Sequence, residues 1–302
     1  MIRSKVSPKQ ILFRPPVEAY SLLIAVTSGC SWNKCKFCGM YKGKDYEVYQ
    51  EYEILPFEYV FEQIDRAVKN NYHGFPVYLA GGNPTSAPTD HLVKIIKYVR
   101  EKLNNVQRVS CYSKALDVLR KSDEELKELK DAGLDIVYMG LESGSNTVLR
   151  FMHKGTNANS FIKAGKKVME AGIQLSLYVL LGLGGKKYSK DHVLETARVL
   201  TEINPTIFRF RSLGVGSNIP LWYDLEKGEF ELIDPVDYLI EERDIIANLG
   251  DNVTSQVFND HAANYCYIES DNIKEDRGHF IHTLNSYIKD PRFLTIKRKI
   301  PR

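Results

Sequence analysis

Short apolar segments alternate with amphipathic segments along the first two thirds of the chain. Six segments have the length and apolar content of buried strands: residues 21–27, 76–80, 106–112, 135–141, 174–181 and 206–213. Between them apolar residues recur at helical spacing, for example Phe57, Val60, Phe61, Ile64 and Val68. Neighbouring parallel strands need long crossover connections, which are usually helical. The alternation therefore predicts an α/β protein with a parallel sheet.

Local signals mark where several of these helices begin and end. Ser122 and Glu125 form a capping-box pattern, in which each side chain satisfies a free amide at a helix start. Gly133 and Gly172 are placed to stop helices, and Asn204-Pro205 ends the helix that we predict to begin at Ser189.

Six strand–helix units favour an open barrel, a partial (β/α)6 TIM-like barrel, with a doubly wound open sheet as the alternative. After residue 213 the regular alternation of strands and helices ends: helices are predicted at 235–249 and 272–288, with a short strand at 253–258. We therefore divide the chain into a barrel core, residues 1–220, and a C-terminal helical extension packed on it, residues 221–302.

The composition is that of an ordinary soluble globular protein. Hydrophobic residues make up 43% and charged residues 26% of the 302 positions, and 41 basic against 38 acidic residues give a formal charge of +3. This balance is too even to indicate general binding to nucleic acid or to anionic membranes. The sequence contains no apolar run that reads as a signal peptide or a membrane span, so we expect a cytoplasmic protein with reduced thiols.

Three of the five cysteines, Cys30, Cys35 and Cys38, lie within nine residues of each other. They occupy an unusually long connection between the first strand and the first helix, at the end of a barrel where active sites form. Three thiolates can bind three irons of a 4Fe–4S cluster and leave the fourth iron open. The alternative is a structural zinc site, which needs a fourth ligand such as Cys111 or Cys266.

The cysteine loop resembles that of the radical S-adenosylmethionine (SAM) superfamily, because it directly follows the first strand and carries an aromatic residue, Phe37, before its last cysteine. The resemblance extends over residues 21–221 and implies that SAM chelates the open iron and is cleaved to a 5′-deoxyadenosyl radical. Four residues separate Cys30 from Cys35, whereas three is the commonest spacing in the superfamily. This difference bears on the loop geometry more than on the presence of a cluster.

Other segments resemble the branch of this superfamily that includes coproporphyrinogen dehydrogenase and methylthiotransferase-like proteins. Gly81-Gly82-Asn83 ends the second strand where the family has Gly-Gly-Glu, which implies contacts with the methionine amino group of SAM. Without the resemblance, the same residues read as a glycine-rich turn.

The fourth and fifth strands end in two further segments of this kind. Glu142-Ser143 matches a Gly-Leu-Glu-Ser-Gly segment, which implies that these residues face the SAM ribose. Lys154 matches a Lys-Gly element and is expected to pair with the SAM carboxylate or to be solvated. Gly182 lies in a Gly-x-Gly-Gly turn expected near the adenine.

Strand alternation places Glu142 independently of the resemblance. Side chains point alternately to the two faces of a strand. If Val137, Met139 and Leu141 face the helices, then Tyr138, Gly140 and Glu142 face the interior of the barrel.

The sixth strand carries Arg209 and Arg211 on one face, with Phe208 and Phe210 on the other. Buried guanidinium groups need anionic partners, so we expect the arginines to bind an anionic group of the substrate, the SAM carboxylate or an internal carboxylate such as Glu142.

Three weaker candidates for the substrate end come from other strands and from the extension. Tyr178, on the fifth strand, is placed to line the cavity. Cys111 is either a hydrogen donor to a substrate radical or, as we prefer, a small core residue. His261 lies in a His-Ala-Ala-Asn-Tyr stretch similar to one in relatives of this branch, and either lines the barrel mouth or caps the core.

Together these features predict a radical SAM enzyme that abstracts hydrogen from a small or medium-sized organic metabolite, is sensitive to oxygen and takes electrons from a ferredoxin- or flavodoxin-like donor. The alternative is a metal-stabilised nucleic-acid-binding or RNA-modifying protein. This alternative is based on the basic residues Lys34, Lys36, Lys42 and Lys44. The acidic residues Asp45 and Glu47 follow directly, so the basic patch does not extend further along the chain.

Overall fold

The computed structural model describes residues 11–42 and 51–291; Lys44, Asp45 and Glu47 lie outside this range. The strands are β1 (Leu22–Ala25), β2 (Thr27–Ser28), β3 (Glu53–Ile54), β4 (Val77–Ala80), β5 (Val109–Ser113), β6 (Ile136–Glu142), β7 (Gln174–Leu181), β8 (Ile207–Ser212), β9 (Gln256–Asn259) and β10 (Ile268–Ser270). The helices are α1 (Phe57–Lys69), α2 (Thr89–Lys102), α3 (Ala115–Leu119), α4 (Asp123–Ala132), α5 (Asn146–Phe151), α6 (Ala158–Glu170), α7 (Gly185–Ile203), α8 (Leu221–Glu226), α9 (Pro235–Ala247) and α10 (Ile273–Lys289).

Eight strands form one sheet in the order β1-β4-β5-β6-β7-β8-β9-β10. Within this sheet every pairing from β1 to β9 is parallel, and only β10 runs antiparallel to its neighbour; β2 and β3 form a separate antiparallel pair. The spatial order follows the chain order without reversal, whereas a doubly wound sheet reverses direction at a switch point. The expected partial barrel is therefore confirmed, and it is open, since β1 and β10 are the two edges of the sheet.

The two faces of the sheet carry different side chains. Val137, Met139 and Leu141 pack into the large core between sheet and helices. The concave face holds a separate buried cluster of Tyr78, Ala80, Ile136, Tyr138 and Tyr178. The predicted alternation of β6 is thus confirmed, because the strand presents its apolar side chains to the helices and its tyrosine to the interior.

Most of the helix starts and ends that the sequence predicts are found in the structure. Ser122 and Glu125 form the predicted capping box of α4, and Gly133 ends that helix with φ of 107°. The helix α7 begins at Gly185, four residues before the predicted Ser189, and ends at Asn204, whose φ is 45°. Glycine has low intrinsic helix propensity, so the early start at Gly185 reflects tertiary packing.

The chain after residue 220 contributes strands as well as helices. β9 extends the sheet beside β8, and β10 covers the edge of β9. The segment that we expected to be a helical extension is therefore partly built into the sheet, because an unpaired β8 would leave a row of free backbone groups at its edge. Within the described residues, no helix is long and apolar enough to cross a membrane.

Glu18 closes the concave face at the amino-terminal end of the strands. Its side chain is fully buried and accepts hydrogen bonds from Ser110, at 2.8 Å, and from Tyr138, at 2.5 Å. Arg108 Nη2 lies 2.9 Å from its other oxygen. Burial raises the pKa of Glu18, but the hydrogen bonds from Arg108, Ser21 and Tyr138 outweigh this effect and lower the pKa below its usual value.

We expect Glu18→Ala to destabilise the protein by about 2–3 kcal/mol at neutral pH, because it leaves buried donors unpaired. Since the folded-state pKa is lowered, this difference between the two proteins should shrink as the pH falls through that pKa. Urea unfolding measures both effects. Glu62→Ala, which breaks an exposed pair with Arg66, should cost less than about 0.5 kcal/mol. Equal losses in the two variants would contradict the assignment.

Candidate functional site: the cysteine loop and the concave face

Cys30, Cys35 and Cys38 follow β2, at the carboxyl end of the parallel strands. Burial, with smaller contributions from the neighbouring Cys35 and Cys30, raises the pKa of Cys38 to about 11. Burial also raises the pKa of Cys35, and Cys30 again contributes. The three thiols therefore lie close enough to interact electrostatically. Thiols of this kind need a cation such as iron to hold them as thiolates.

One side of the cysteine loop is held by the end of β4. Gly82 N donates to Gly29 O at 2.8 Å, and the amide of Ser31 donates to Asn83 Oδ1 at 3.0 Å. A Cβ atom on Gly82 would lie 2.3 Å from Gly29 O and 2.6 Å from Cys30 Cα. Glycine is thus required here because the two backbones touch. Asn83 in turn donates to Asp117 at 2.6 Å.

The other side of the loop contacts the segment after α5. Trp32 Nε1 donates to His153 O at 2.7 Å, and Lys36 N donates to Met152 O at 3.0 Å. Gly155 packs against the indole so closely that a Cβ would lie 2.3 Å from Trp32 Cε2. These contacts fix the loop from the side of β6.

The segment that leads into α8 forms a third contact with the loop. Leu221 N donates to Lys36 O at 2.8 Å, and Lys36 Nζ pairs with Asp224 at 3.0 Å. The chain after residue 220 therefore takes part in holding the cysteine loop.

Glu142 and Lys154 form an ion pair beside the cysteines. Glu142 has a φ of 63°, a left-handed conformation that is uncommon for a residue other than glycine and often marks a functional site. Its carboxylate lies over Gly140, where a Cβ would lie 2.0 Å from Oε1, and pairs with Lys154 Nζ at 3.0 Å. Burial lowers the pKa of Lys154, but Glu142 and Cys35 outweigh this and raise it, so the ammonium stays charged. Lys154 Nζ also lies 5.5 Å from the Phe37 ring centre.

Two predicted SAM contacts are already engaged with neighbouring helices. The Ser143 hydroxyl lies 2.9 Å from His192 Nδ1 and accepts from Ser145 N. Gly182, with φ of 80°, packs against the Tyr238 ring, and its amide donates to Glu241 at 2.6 Å. Burial raises the pKa of Glu241 to about 7.

The concave face near the loop carries two arginines. Arg209 pairs with Asp260 at 2.5 Å and stacks on Phe258, while Phe208 and Phe210 pack into the helix-side core as predicted. The internal partner of Arg209 is Asp260 and not Glu142.

Arg211 and two of the weaker candidates meet on the same face. The guanidinium carbon of Arg211 lies 4.8 Å from the Tyr178 ring centre. Burial lowers the pKa of His261, and the charge of Arg211 lowers it further, which places His261 at the same mouth.

Cys111 does not belong to this face. It packs into the core between the sheet and the helices, with the side chain fully buried. The suggested hydrogen-donor role for Cys111 is therefore wrong, and the preferred core assignment is right, because β5 directs this residue away from the interior.

The donor set suits a cluster better than a single ion. Within the two described segments, no group of three or more His, Cys, Asp or Glu side chains is placed to hold one metal ion. In a cluster each cysteine binds a different iron, so the thiolates need not converge on one point. Cys111 lies in the helix-side core, and Cys266 accepts a hydrogen bond from Asn259 at 3.2 Å, so neither completes a zinc site.

Comparison with known proteins agrees with this geometry. The profile of the radical SAM superfamily matches residues 24–200. The uncharacterized protein MJ0486 of Methanocaldococcus jannaschii is 26% identical over 82% of this chain and 75% of its own length. The tRNA-2-methylthio-N(6)-dimethylallyladenosine synthase of Campylobacter hominis is 24% identical over 67% of this chain and 48% of its own length. This chain thus spans about half the length of that synthase.

A solved structure shares the fold. Coproporphyrinogen III oxidase from Escherichia coli superposes with a TM-score of 0.51 at 16% identity, over 75% of this chain and 51% of that one.

A cysteine loop at the carboxyl end of an open parallel barrel defines the class of protein. The chain belongs to the radical SAM superfamily, because the superfamily profile covers more than half of it. Members of this superfamily are enzymes that use a 4Fe–4S cluster and SAM, and these are the cofactors of this chain. Membership favours the enzyme over the nucleic-acid-binding alternative. Such enzymes act on organic substrates and need an electron donor.

Sequence reasoning missed several residues that build this site. Sequence reasoning gave Asn83 only a role toward SAM, whereas its side chain also binds the loop residue Ser31 and Asp117. Asp224 and Asp260 were not singled out, although each pairs with a basic residue of the site. Asp260 directly precedes His261, so proximity to that candidate was the one available signal.

We expect Gly82→Ala to lose most of the iron and sulfide that the wild-type chain binds on anaerobic reconstitution, because a methyl group would displace the backbone of Cys30. The matched control is Gly278→Ala in α10, where a Cβ meets nothing within 4 Å. Iron and sulfide analysis per chain measures the result. Wild-type iron content in Gly82→Ala would show that this contact does not position the cysteines.

Proposed function

We propose that this chain is a radical SAM enzyme in which Cys30, Cys35 and Cys38 hold the 4Fe–4S cluster. The observation that carries the proposal is the convergence of the cysteine loop with the partly buried Glu142–Lys154 pair at the carboxyl end of the barrel. When bound there and reduced, the cluster would supply the electron for cleavage of SAM to a 5′-deoxyadenosyl radical, the species that would abstract hydrogen from an organic substrate.

The Glu142–Lys154 pair is suited to bind SAM, which carries both an ammonium and a carboxylate in its methionine part. Lys154 is held charged beside the cysteines and offers donors to a carboxylate, and Glu142 offers an acceptor. Phe37 packs against the ammonium and limits its movement. Gly82, Asn83, Ser143 and Gly182 frame this space through the contacts described above, and Gly81, whose φ is 134°, packs against Thr27.

The concave face is suited to hold the substrate and to exclude water. Tyr78, Tyr138 and Tyr178 are buried there, with Tyr112 partly buried beside them. Their rings form a sequence of edge or tilted contacts with centroids 5.7 to 6.4 Å apart. A packed aromatic wall of this kind positions a substrate and protects a reactive intermediate.

We further propose a small or medium-sized metabolite as substrate, a ferredoxin- or flavodoxin-like protein as electron donor, a cytoplasmic location and sensitivity to oxygen. The even charge balance supports a small substrate in preference to a nucleic acid.

Reconstitution with iron and sulfide, followed by dithionite and SAM, should give 5′-deoxyadenosine. We expect Cys35→Ala to lose both the cluster absorbance and this product, because one iron loses its ligand. Cys111→Ala, which removes a thiol of the helix-side core, should keep both. A wild-type preparation that binds zinc and no iron, or a Cys35→Ala variant that still forms the product, would refute the proposal.

Lys154→Gln should raise the dissociation constant of SAM about tenfold, since one charge-assisted hydrogen bond is lost. Its iron content should remain that of the wild type, because no cysteine depends on Lys154 for its position. Lys163→Gln, at an exposed position of α6, is the matched control. SAM titration followed by the EPR spectrum of the reduced cluster measures the affinity; equal affinity in the two variants would remove Lys154 from the SAM site.

A further inference from the structure

Three basic side chains are candidates for binding an anion at the carboxyl end of the concave face: Lys154, Arg209 and Arg211. Lys154 pairs with Glu142, and Arg209 pairs with Asp260. Arg211 lies on the same face of β8 as Arg209 and pairs with no carboxylate among residues 11–42 and 51–291. Of these three cations, Arg211 is therefore the one that no described carboxylate neutralises.

Arg211 is held in a defined place. Its guanidinium carbon stacks 4.8 Å from the centre of the Tyr178 ring. Burial raises the pKa of Tyr178 while Arg211 and Arg209 lower it, which places both guanidinium groups beside this ring. Since the stacking uses the flat face of the guanidinium, its N–H groups stay available at the rim.

Buried polar atoms on the same concave face also lack partners. The hydroxyls of Ser176 and Tyr78, both in fully buried residues, and Nε of Arg209 make no hydrogen bond within the described residues. Ser176 pairs in register with Tyr138 and Ile207, both of which contact the concave-face cluster, so it faces the same interior. Unpartnered polar groups in a buried wall are costly unless a polar ligand satisfies them.

We propose that the substrate carries an anionic group, a carboxylate or a phosphate, that binds Arg211, while Tyr178 orients the guanidinium and Ser176 contacts a polar part of the same molecule. The assignment rests on the proposed function, because it takes the concave face as the substrate cavity. Arg209 has a different role: neutralised by Asp260, it positions the neighbouring side chains.

The test titrates the reconstituted, SAM-loaded protein with succinate and, separately, with inorganic phosphate, at constant ionic strength and with calorimetric detection. Arg211→Gln should bind the preferred anion about tenfold more weakly than the wild type. Arg66→Gln, which removes the same charge from an exposed position of α1, should not change the affinity. Asp260→Asn releases Arg209 and should strengthen anion binding severalfold.

The dissociation constant of SAM is measured for the same variants and distinguishes the two sources of a carboxylate. We expect Arg211→Gln to leave it unchanged. A weaker SAM complex in Arg211→Gln, or competition between succinate and SAM in the wild type, would assign Arg211 to the SAM carboxylate and overturn the proposal. It is equally overturned if neither anion binds saturably to the wild type, or if Arg211→Gln and Arg66→Gln bind alike.

The formation of 5′-deoxyadenosine is followed in parallel. Wild-type protein that binds anions through Arg211 but forms no product would refute the proposed function and leave the anion site standing. If the wild type forms the product but anion binding does not depend on Arg211, the proposed function stands and the anion site is refuted.

Discussion

The structure depends on how a long loop with three cysteines is held in one place. A loop of this length has many conformations, and bringing three thiols together in it costs conformational entropy. Three separate contacts offset that cost: Gly82 and Asn83 after β4, Met152 and His153 after α5, and Leu221 at the start of α8. Because these are mostly backbone hydrogen bonds, they fix the path of the loop even where its side chains vary.

Charge compensation organises the rest of the concave face. At its amino-terminal end the buried carboxylate of Glu18 is satisfied by Arg108, Ser110 and Tyr138, so this end is closed. At the carboxyl end, Glu142 is paired with Lys154 beside the cysteines. In a low-dielectric interior such pairs are stable only when nearly every charge has a partner. For this reason Arg211 is significant, because it is the one arginine of the described face that has no carboxylate partner.

The C-terminal segment is part of the site and of the sheet. Leu221 and Asp224 hold the cysteine loop, and Asp260 neutralises Arg209. β9 and β10 extend the sheet beside β8, so the sheet continues into this segment. The pattern of apolar residues thus changes near residue 220, but the structure packs the residues after this boundary against those before it.

The sequence alone predicts the order of strands and helices, the orientation of β6 and β8, and the class of protein. The reason is that they depend on local periodicity, as with Tyr138 and Phe208, or on the close spacing of three cysteines. The sequence does not predict which residues that are distant in the chain contact each other. The Arg209–Asp260 pair spans 51 residues and the Trp32–His153 contact 121 residues. Only the tertiary structure decided them, because the packing of the open barrel and its loops, and no local propensity, brings such residues within hydrogen-bonding distance.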